Sequence, residues 1–465
     1  MTFTELAFLP FAAVVLPVYW ALPRRALQNA WLLAASLLFY GWRTPWYLLL
    51  LVGTALVDWL TALGMARWPE RKGTMLAVSL LSNLGLLATF KYLDFFVENL
   101  VAVAGWSGHP LALAEPHLPL PVGISFFTFQ TLGYTIDVWR GHTVARRNLV
   151  DYSTFVAFFP QLVAGPIERA NGLLSQVETD RRITLSRVAS GLGLVLWGAV
   201  QKMVVADNVA LYVDRVFAMA DPSTPLVAAA TLGFSVQILA DFGGYTDMAR
   251  GLARMMGFEL LDNFRAPYLA ASPSEFWKRW HISFSTWIQE NVYIPLGGAR
   301  RGRARRVFAT WVSMLGSGLW HGAAWHYVLW GAWHAALLTG WRAASVVVPR
   351  AFSSRTWARY AAIGLMFCFT EVGWLFFREG SVSRIFGWFT RSPFAGAWEE
   401  RVGAVMVLGV AGAGGAFLAL GGAIRRRWPA EATPLWVRAG LWAAGIVAMV
   451  VFSRDVHQDF IYFKF

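Results

Sequence analysis

Charge is what this chain has least of. Only 14% of its 465 residues are Asp, Glu, Lys or Arg, against 57% hydrophobic, where a soluble domain carries about 25% charged residues. That excludes a water-soluble globular fold with a single anchor. Cysteine is reduced to one, Cys368, so no intrachain disulfide and no multi-cysteine metal site can form. The chain has no His-Glu-x-x-His pair and no Gly-rich phosphate loop ending Gly-Lys-Ser or Gly-Lys-Thr, the signatures of zinc hydrolysis and nucleotide binding. Tandem repeats and low-complexity tails are missing as well.

What is present in quantity is apolar length. The mean hydropathy is +0.48, and runs near the length of a membrane-crossing helix recur throughout, the mark of an all-α polytopic membrane protein. After a first run at 6–22, a hairpin is expected over 29–42 and 46–66, turning near Gly41 to Pro45. Further spans are expected at 73–90, 94–106, 119–138, 150–166, 188–213, 224–240, 307–320, 324–346, 358–377, 401–422 and 436–452. Prolines and polar residues break 119–138 and 150–166, and such segments are tolerated where they are buried in protein or line a wet cavity. The expectation is roughly 11 crossing helices with one or two re-entrant pieces, in one membrane domain over 1–465. The 25 Trp and 34 Phe suit interfacial belts and an aromatic-lined cavity.

The net charge of +13 does not indicate nucleic acid. The basic residues fall in short clusters between apolar runs, at 24–25, 67–72, 146–147, 300–306 and 425–427, as cytoplasmic loops do. The first apolar run precedes the first basic pair, the reverse of a secretory signal peptide, so it is expected to be retained. With Arg24 and Arg25 inside, the N-terminus is expected outside the cytoplasm.

The interval 241–306 is too polar for one ordinary span and too aromatic for a linker. Within it, 274–288 is expected to form an interfacial helix starting at Ser272 or Ser274 as N-cap, with Glu275 near the positive helix end. Trp277, Trp280, His281, Phe284 and Ile288 then share a face. Gly243-Gly244 is expected to break the preceding helix. A polar side chain at membrane depth is costly and by default a candidate for function. His281 and His321, set among tryptophans, are the strongest such candidates, since imidazole can act as a base near neutral pH. The alternative is a histidine bonded to a carbonyl that packs two helices. The small residues around His321 allow close backbone approach and leave room for a substrate.

His326 and His334 stand eight apart, about 12 Å of helical rise, and His321 and His326 about 140° apart round a helix; neither pair suits one metal ion. His326 reads as interfacial or structural, and His334 as a supporting partner or a packing contact. Lys202 and Asp207, five apart, are poorly placed as an intrahelical pair, so a cross-helix partner is expected for them. Glu168 and Arg169 read as a loop at a cavity mouth. Gln130, Gln161, Asp241, Tyr245, Asp247, Trp320 and His334 are the candidate substrate-binding positions, although Asp241 and Asp247 read equally well as helix caps. Two classes fit these residues: an enzyme joining a donor on one membrane face to an acceptor on the other, and a transporter. Paired inverted repeats, which a transporter would more often show, are not visible.

Six motifs, in order, carry a resemblance. They are PVGISFFTFQ at 121–130, FPQLVAGPI at 159–167, DFGGYTDM at 241–248, FWKRWHISFS at 276–285, GLWHGA at 318–323 and FIYFKF at 460–465. With them the whole chain resembles the membrane-bound O-acyltransferase family, and most of all its bacterial branch that acylates alginate and teichoic acid. Gly243 and Lys464 stand where that branch usually has Ser and Gln. The resemblance implies a ring of helices around a central tunnel, to which 241–306 contributes. His321 would be the catalytic base, and His281 would assist or position the acyl group. It implies O-acetylation of an exopolysaccharide such as alginate, with D-alanyl or other small-acyl transfer as the alternative. No tightly bound cofactor is implied; the donor would be acetyl-CoA or an acyl-carrier thioester. An extracytoplasmic acetyltransferase or esterase-like partner and polysaccharide synthesis machinery are implied too. The inner membrane is the implied location, with both termini extracytoplasmic.

Overall fold

The computed structural model describes residues 1–347, 355–427, 433–453 and 460–461. Of the last motif, Tyr462 and the residues after it, Lys464 included, lie outside the described residues. Among the described residues every regular element is helical. Six helices are long and apolar enough to cross a membrane: Tyr47–Arg67, Pro69–Trp106, Leu185–Ala218, Thr224–Met255, Thr356–Arg378 and Trp398–Arg425. This is a polytopic all-helical membrane protein.

Two compact units can be told apart, Met1–Gly191 with Leu252–Leu261, and Leu192–Gly251 with Asp262–Phe465. The first holds α1 (Phe8–Ala21), α2 (Arg25–Gly41), α3 (Tyr47–Arg67), α4 (Lys72–Leu87), α5 (Leu93–Trp106), α6 (Ile124–Arg140) and α7 (Leu149–Ala157). The expected hairpin is α2 and α3. Gly123, at φ +78°, lets the chain turn into α6 after the prolines. Gly141, at φ +77°, ends it, with His142 N–H donating to Asp137 O and Gly141 N–H to Val138 O, a left-handed glycine stop. Asn148 caps α7 by accepting from Val150 N and Asp151 N, and the 150–166 stretch breaks after Ala157, as its prolines require. A buried polar knot ties α3, α4 and α6 together. Asp58 accepts from Ser79 Oγ at 2.5 Å and from Asn83 Nδ2 at 2.9 Å, and Asn83 Oδ1 accepts from Thr131.

The second unit is reached through α8 (Leu185–Val200) and contains α9 (Asp207–Ala218), α10 (Thr224–Met255), α11 (Pro273–Trp277), α12 (Ile282–Ile288), α13 (Gly302–His321), α14 (Trp325–Val347), α15 (Thr356–Arg378), α16 (Val382–Thr390), α17 (Trp398–Arg427) and α18 (Leu435–Phe452). Three expectations are corrected here. α10 runs unbroken through Gly243-Gly244. Its glycine serves contact instead, for a Cβ on Gly244 would stand 2.6 Å from Gly198 O. Between α8 and α9, residues Gln201–Ala206 form a π-turn in which Asp207 N–H bonds Lys202 O. That spacing brings residues five apart together, so Lys202 Nζ reaches Asp207 Oδ1 at 2.7 Å after all. The expected cross-helix partner is present too: Asp241 Oδ1, also at 2.7 Å.

The third correction concerns 274–288, which is two helices with a turn between them. Ser272 does cap α11, its Oγ accepting from Glu275 N at 3.1 Å, while the Glu275 carboxylate accepts from Ala271 N, one residue before the cap, at 2.8 Å. The helix stops at Trp277 because the chain turns to meet 263–265. Arg265 N–H donates to Arg279 O and Ile282 N–H to Asn263 O.

Candidate active site

His281 sits at the turn between α11 and α12 in the left-handed conformation, φ +42° and ψ +57°. A non-glycine residue there is strained, by about 1–3 kcal/mol, and persists only where its surroundings over-determine it. Asn263 supplies the constraint. It is fully buried, and its Oδ1 accepts from Ser283 Oγ at 2.7 Å and Ser283 N at 3.2 Å. It therefore caps α12 from a residue distant in sequence. No local pattern marks Asn263, and the sequence reading missed it.

His321 closes α13, and the backbone around it is pressed against α14. A Cβ on Gly318 would lie 2.1 Å from Tyr327 O, and one on Gly331 2.4 Å from Met314 O. The glycines beside His321 thus bring two helices into backbone contact, and a Cβ on Gly322 would meet the Tyr327 ring at 2.1 Å.

These elements put both imidazoles into one aromatic cage. His281 is 0% exposed and His321 3%. His281 touches Phe242 edge-on at 4.7 Å between centroids, Phe284 at 5.0 Å and Trp320 at 5.9 Å. His321 touches Trp320 at 4.8 Å, Trp330 at 4.9 Å, Phe377 at 5.1 Å and Phe284 at 5.7 Å. Phe284 and Trp320, stacked on each other at 4.3 Å, are common to both histidines. Trp330 is completely buried, and its indole N–H has no acceptor among the described residues. The Trp330 ring also meets His334 at 4.9 Å, and His334 packs on Phe276 and Trp277. His281 lies outside the six candidate spans, and burial pushes its imidazole down to about 3, so it is neutral at physiological pH.

A cavity of about 210 Å³ adjoins this cage, lined among others by Phe284, Trp277, Lys278, Ser313, Ser317 and Arg342. Residues 313, 317 and 321 recur every four positions on α13, so the cavity wall follows one helix face toward His321. The Ser313 and Ser317 hydroxyls are buried with no partner among the described residues. They remain available to a polar, extended ligand. The 300–306 arginine run lies at the N-terminal end of α13. Two of its guanidiniums are bonded to carbonyls, Arg305 to Leu296 O and Arg306 to Ala299 O.

The other candidates are distributed differently. Asp241 is held by Lys202 and accepts from Ile461 N at 2.7 Å. The Tyr245 ring lies tilted against Phe460 at 4.9 Å between centroids. Asp247 binds Gln201 Nε2 at 3.0 Å, Arg425 at 2.9 Å and Arg250 at 3.3 Å. Gln130 and Gln161 belong to the first unit. There Gln130 Oε1 accepts from Glu168 N and Gln161 Nε2 donates to Phe155 O, while Glu168 Oε1 accepts from Leu261 N at 2.6 Å. His326 Nδ1 is 3.0 Å from Phe376 O. Among the described residues no cluster of three His, Cys, Asp or Glu is placed to hold a metal ion.

The sequence is similar to those of known proteins. The family model of the membrane-bound O-acyltransferases matches residues 123–378, which include both histidines. The chain is 36% identical over 398 residues to a probable alginate O-acetylase of Pseudomonas putida, covering 83% of this chain and 80% of that one. It is 34% identical over 409 residues to a peptidoglycan O-acetyltransferase of Helicobacter pylori, covering 80% and 75%. Likeness to a teichoic acid D-alanyltransferase of Streptococcus thermophilus is 26% over 225 residues, covering 45% and 54%.

Proposed function

This chain belongs to the membrane-bound O-acyltransferase family, and from that premise we propose that it transfers acetyl groups to hydroxyls of an exopolysaccharide, with alginate as the leading acceptor. The observation that carries the reading is the shared cage, in which His281 and His321 both contact Phe284 and Trp320. A buried base framed by aromatic walls suits removal of a hydroxyl proton where water is excluded.

In this reading the donor is a thioester, acetyl-CoA or an acyl-carrier thioester. Its arm lies in the cavity beside α13, where Ser313 and Ser317 supply hydrogen bonds to its amides and the 300–306 arginines meet its phosphates. His321 takes the proton from the acceptor hydroxyl as that oxygen attacks the thioester carbonyl. The new C–O bond forms, the C–S bond breaks, and the sulfur leaves with the proton from the imidazolium. The Trp330 N–H is the donor assigned to the developing oxyanion. Neutral His281 positions the acyl group. The protein works in the inner membrane with both termini extracytoplasmic and the arginine run cytoplasmic. An extracytoplasmic acetyltransferase or esterase-like partner and the polysaccharide synthesis machinery complete the pathway.

Mass analysis of surface polysaccharide from cells carrying wild-type or His321→Ala protein tests this directly. O-acetyl esters are expected with the wild type and lost with the variant at equal membrane abundance. Retained acylation refutes the role of His321, and a D-alanyl mass in place of acetyl moves the reading to the teichoic acid type. Substrate flux in proteoliposomes without any acyl donor would instead make the chain a transporter.

A further inference from the structure

A buried ion cluster in the second unit lies outside the histidine cage, yet it leads there. Lys202 is buried between two carboxylates, Asp207 and Asp241, each at 2.7 Å. Asp241 gives only one oxygen to that lysine. The other, Oδ2, accepts the main-chain N–H of Ile461 at 2.7 Å. A buried carboxylate gripping a backbone amide is a strong, charge-assisted contact, and here it links α10 to a residue 220 positions on. Phe460 and Ile461 are themselves buried. The Phe460 ring lies 4.9 Å from Tyr245 and 5.8 Å from Phe242, and Phe242 is the ring standing edge-on against His281 at 4.7 Å.

We propose that Asp241 is a positioning residue: with Lys202 as counterion it docks the chain at Ile461, and the docked Phe460 fixes Phe242 against His281. This rests on the acyltransferase reading, because it gives the docked segment a part in setting the reaction geometry. The reason for such an arrangement is physical. His281 holds a strained backbone conformation, so its ring orientation depends on what packs against it. Phe242 provides one wall, and the Phe460 ring packs against it at 5.8 Å. The contact works through a main-chain amide, so side-chain identity at 461 matters little and the presence of an N–H matters fully.

Proline is therefore the selective probe, since it alone lacks that N–H. The experiment uses the full chain in cells and, for the exchange arm, the purified chain in detergent. Ile461→Pro is expected to lower polysaccharide O-acylation at least tenfold at unchanged membrane abundance and melting temperature. Ile461→Val, which keeps the N–H, is expected to restore at least half. Asp241→Ala, which leaves Lys202 paired with Asp207, is expected to speed hydrogen–deuterium exchange of the Ile461 amide at least tenfold and to lose acylation with it. Wild-type acylation by Ile461→Pro overturns the positioning role, and wild-type exchange in Asp241→Ala overturns the docking. Retained acylation in His321→Ala overturns the parent reading, and the positioning role falls with it. The exchange arm needs no acyl donor, so it reads the docking whichever way that result falls.

Discussion

Replacing Gly318 by alanine should damage this protein, whereas the same change two residues earlier should not. A Cβ at 318 would sit 2.1 Å from the Tyr327 carbonyl oxygen and 3.0 Å from its carbon, where ordinary contact is 3.4–4 Å. Both obstructing atoms are backbone, so no side chain can rotate away. α13 and α14 must separate by about 1 Å, and overpacking of this kind costs about 3 kcal/mol at the upper end of its usual range. At Gly316 a Cβ meets nothing within 4 Å, and alanine favours the helix over glycine by about 1 kcal/mol. The chemistry should suffer as well, since His321 lies one turn beyond 318 and a 1 Å misplacement can cost about 100-fold in rate. Thermal unfolding of the detergent-purified variants, with O-acylation of polysaccharide measured alongside, tests both parts. A Gly318→Ala protein that melts and acylates like wild type, or a Gly316→Ala protein as damaged as Gly318→Ala, refutes the reasoning.

Two further outcomes follow from the cage. Trp330→Phe keeps an aromatic ring against His321 but removes the N–H, so turnover should fall about 100- to 1,000-fold with the donor KM little changed; an unaltered turnover removes Trp330 from the oxyanion role. His281, held neutral with its pKa lowered to about 3, binds fewer protons folded than unfolded between that value and about 6.5. Stability should therefore be complete above about pH 6.5 and fall on acidification by about 1.4 kcal/mol per pH unit. His281→Gln should flatten the pH dependence of thermal unfolding by that amount, and identical slopes would contradict the assignment.

The helical class and the six long apolar helices were legible because apolar length is itself the physics of crossing a bilayer. The caps that rest on local chemistry were legible as well: Ser272 with Glu275 works as a capping pair at the position its spacing indicates. What could not be read was set by contacts remote in sequence. The helix expected over 274–288 divides because Asn263 holds Ser283 and fixes His281 in a left-handed turn. Gly243-Gly244 looked like a hinge and proved to be a contact surface, as glycine permits either use. Lys202 and Asp207 are poorly placed as a pair by α-helical geometry, and they pair across a π-turn. His321 stood out by its neighbours, and the small residues beside it, expected to leave room for a substrate, make backbone contact with α14.

That π-turn has a meaning for how such a chain changes length. A π-turn holds one residue more than the α-turn it replaces, so Gln201–Ala206 behaves as a single inserted residue kept within one loop of helix. Without the bulge, the same insertion would rotate every following side chain by about 100° around the axis, carrying the faces of α9 away from their partners. Removing one residue between 203 and 206 would leave Lys202 and Asp207 four apart, again within reach of each other on an ordinary α-helix. The ion pair survives either length. The segment therefore serves as a splice that can lose its one extra residue without moving the parts on either side.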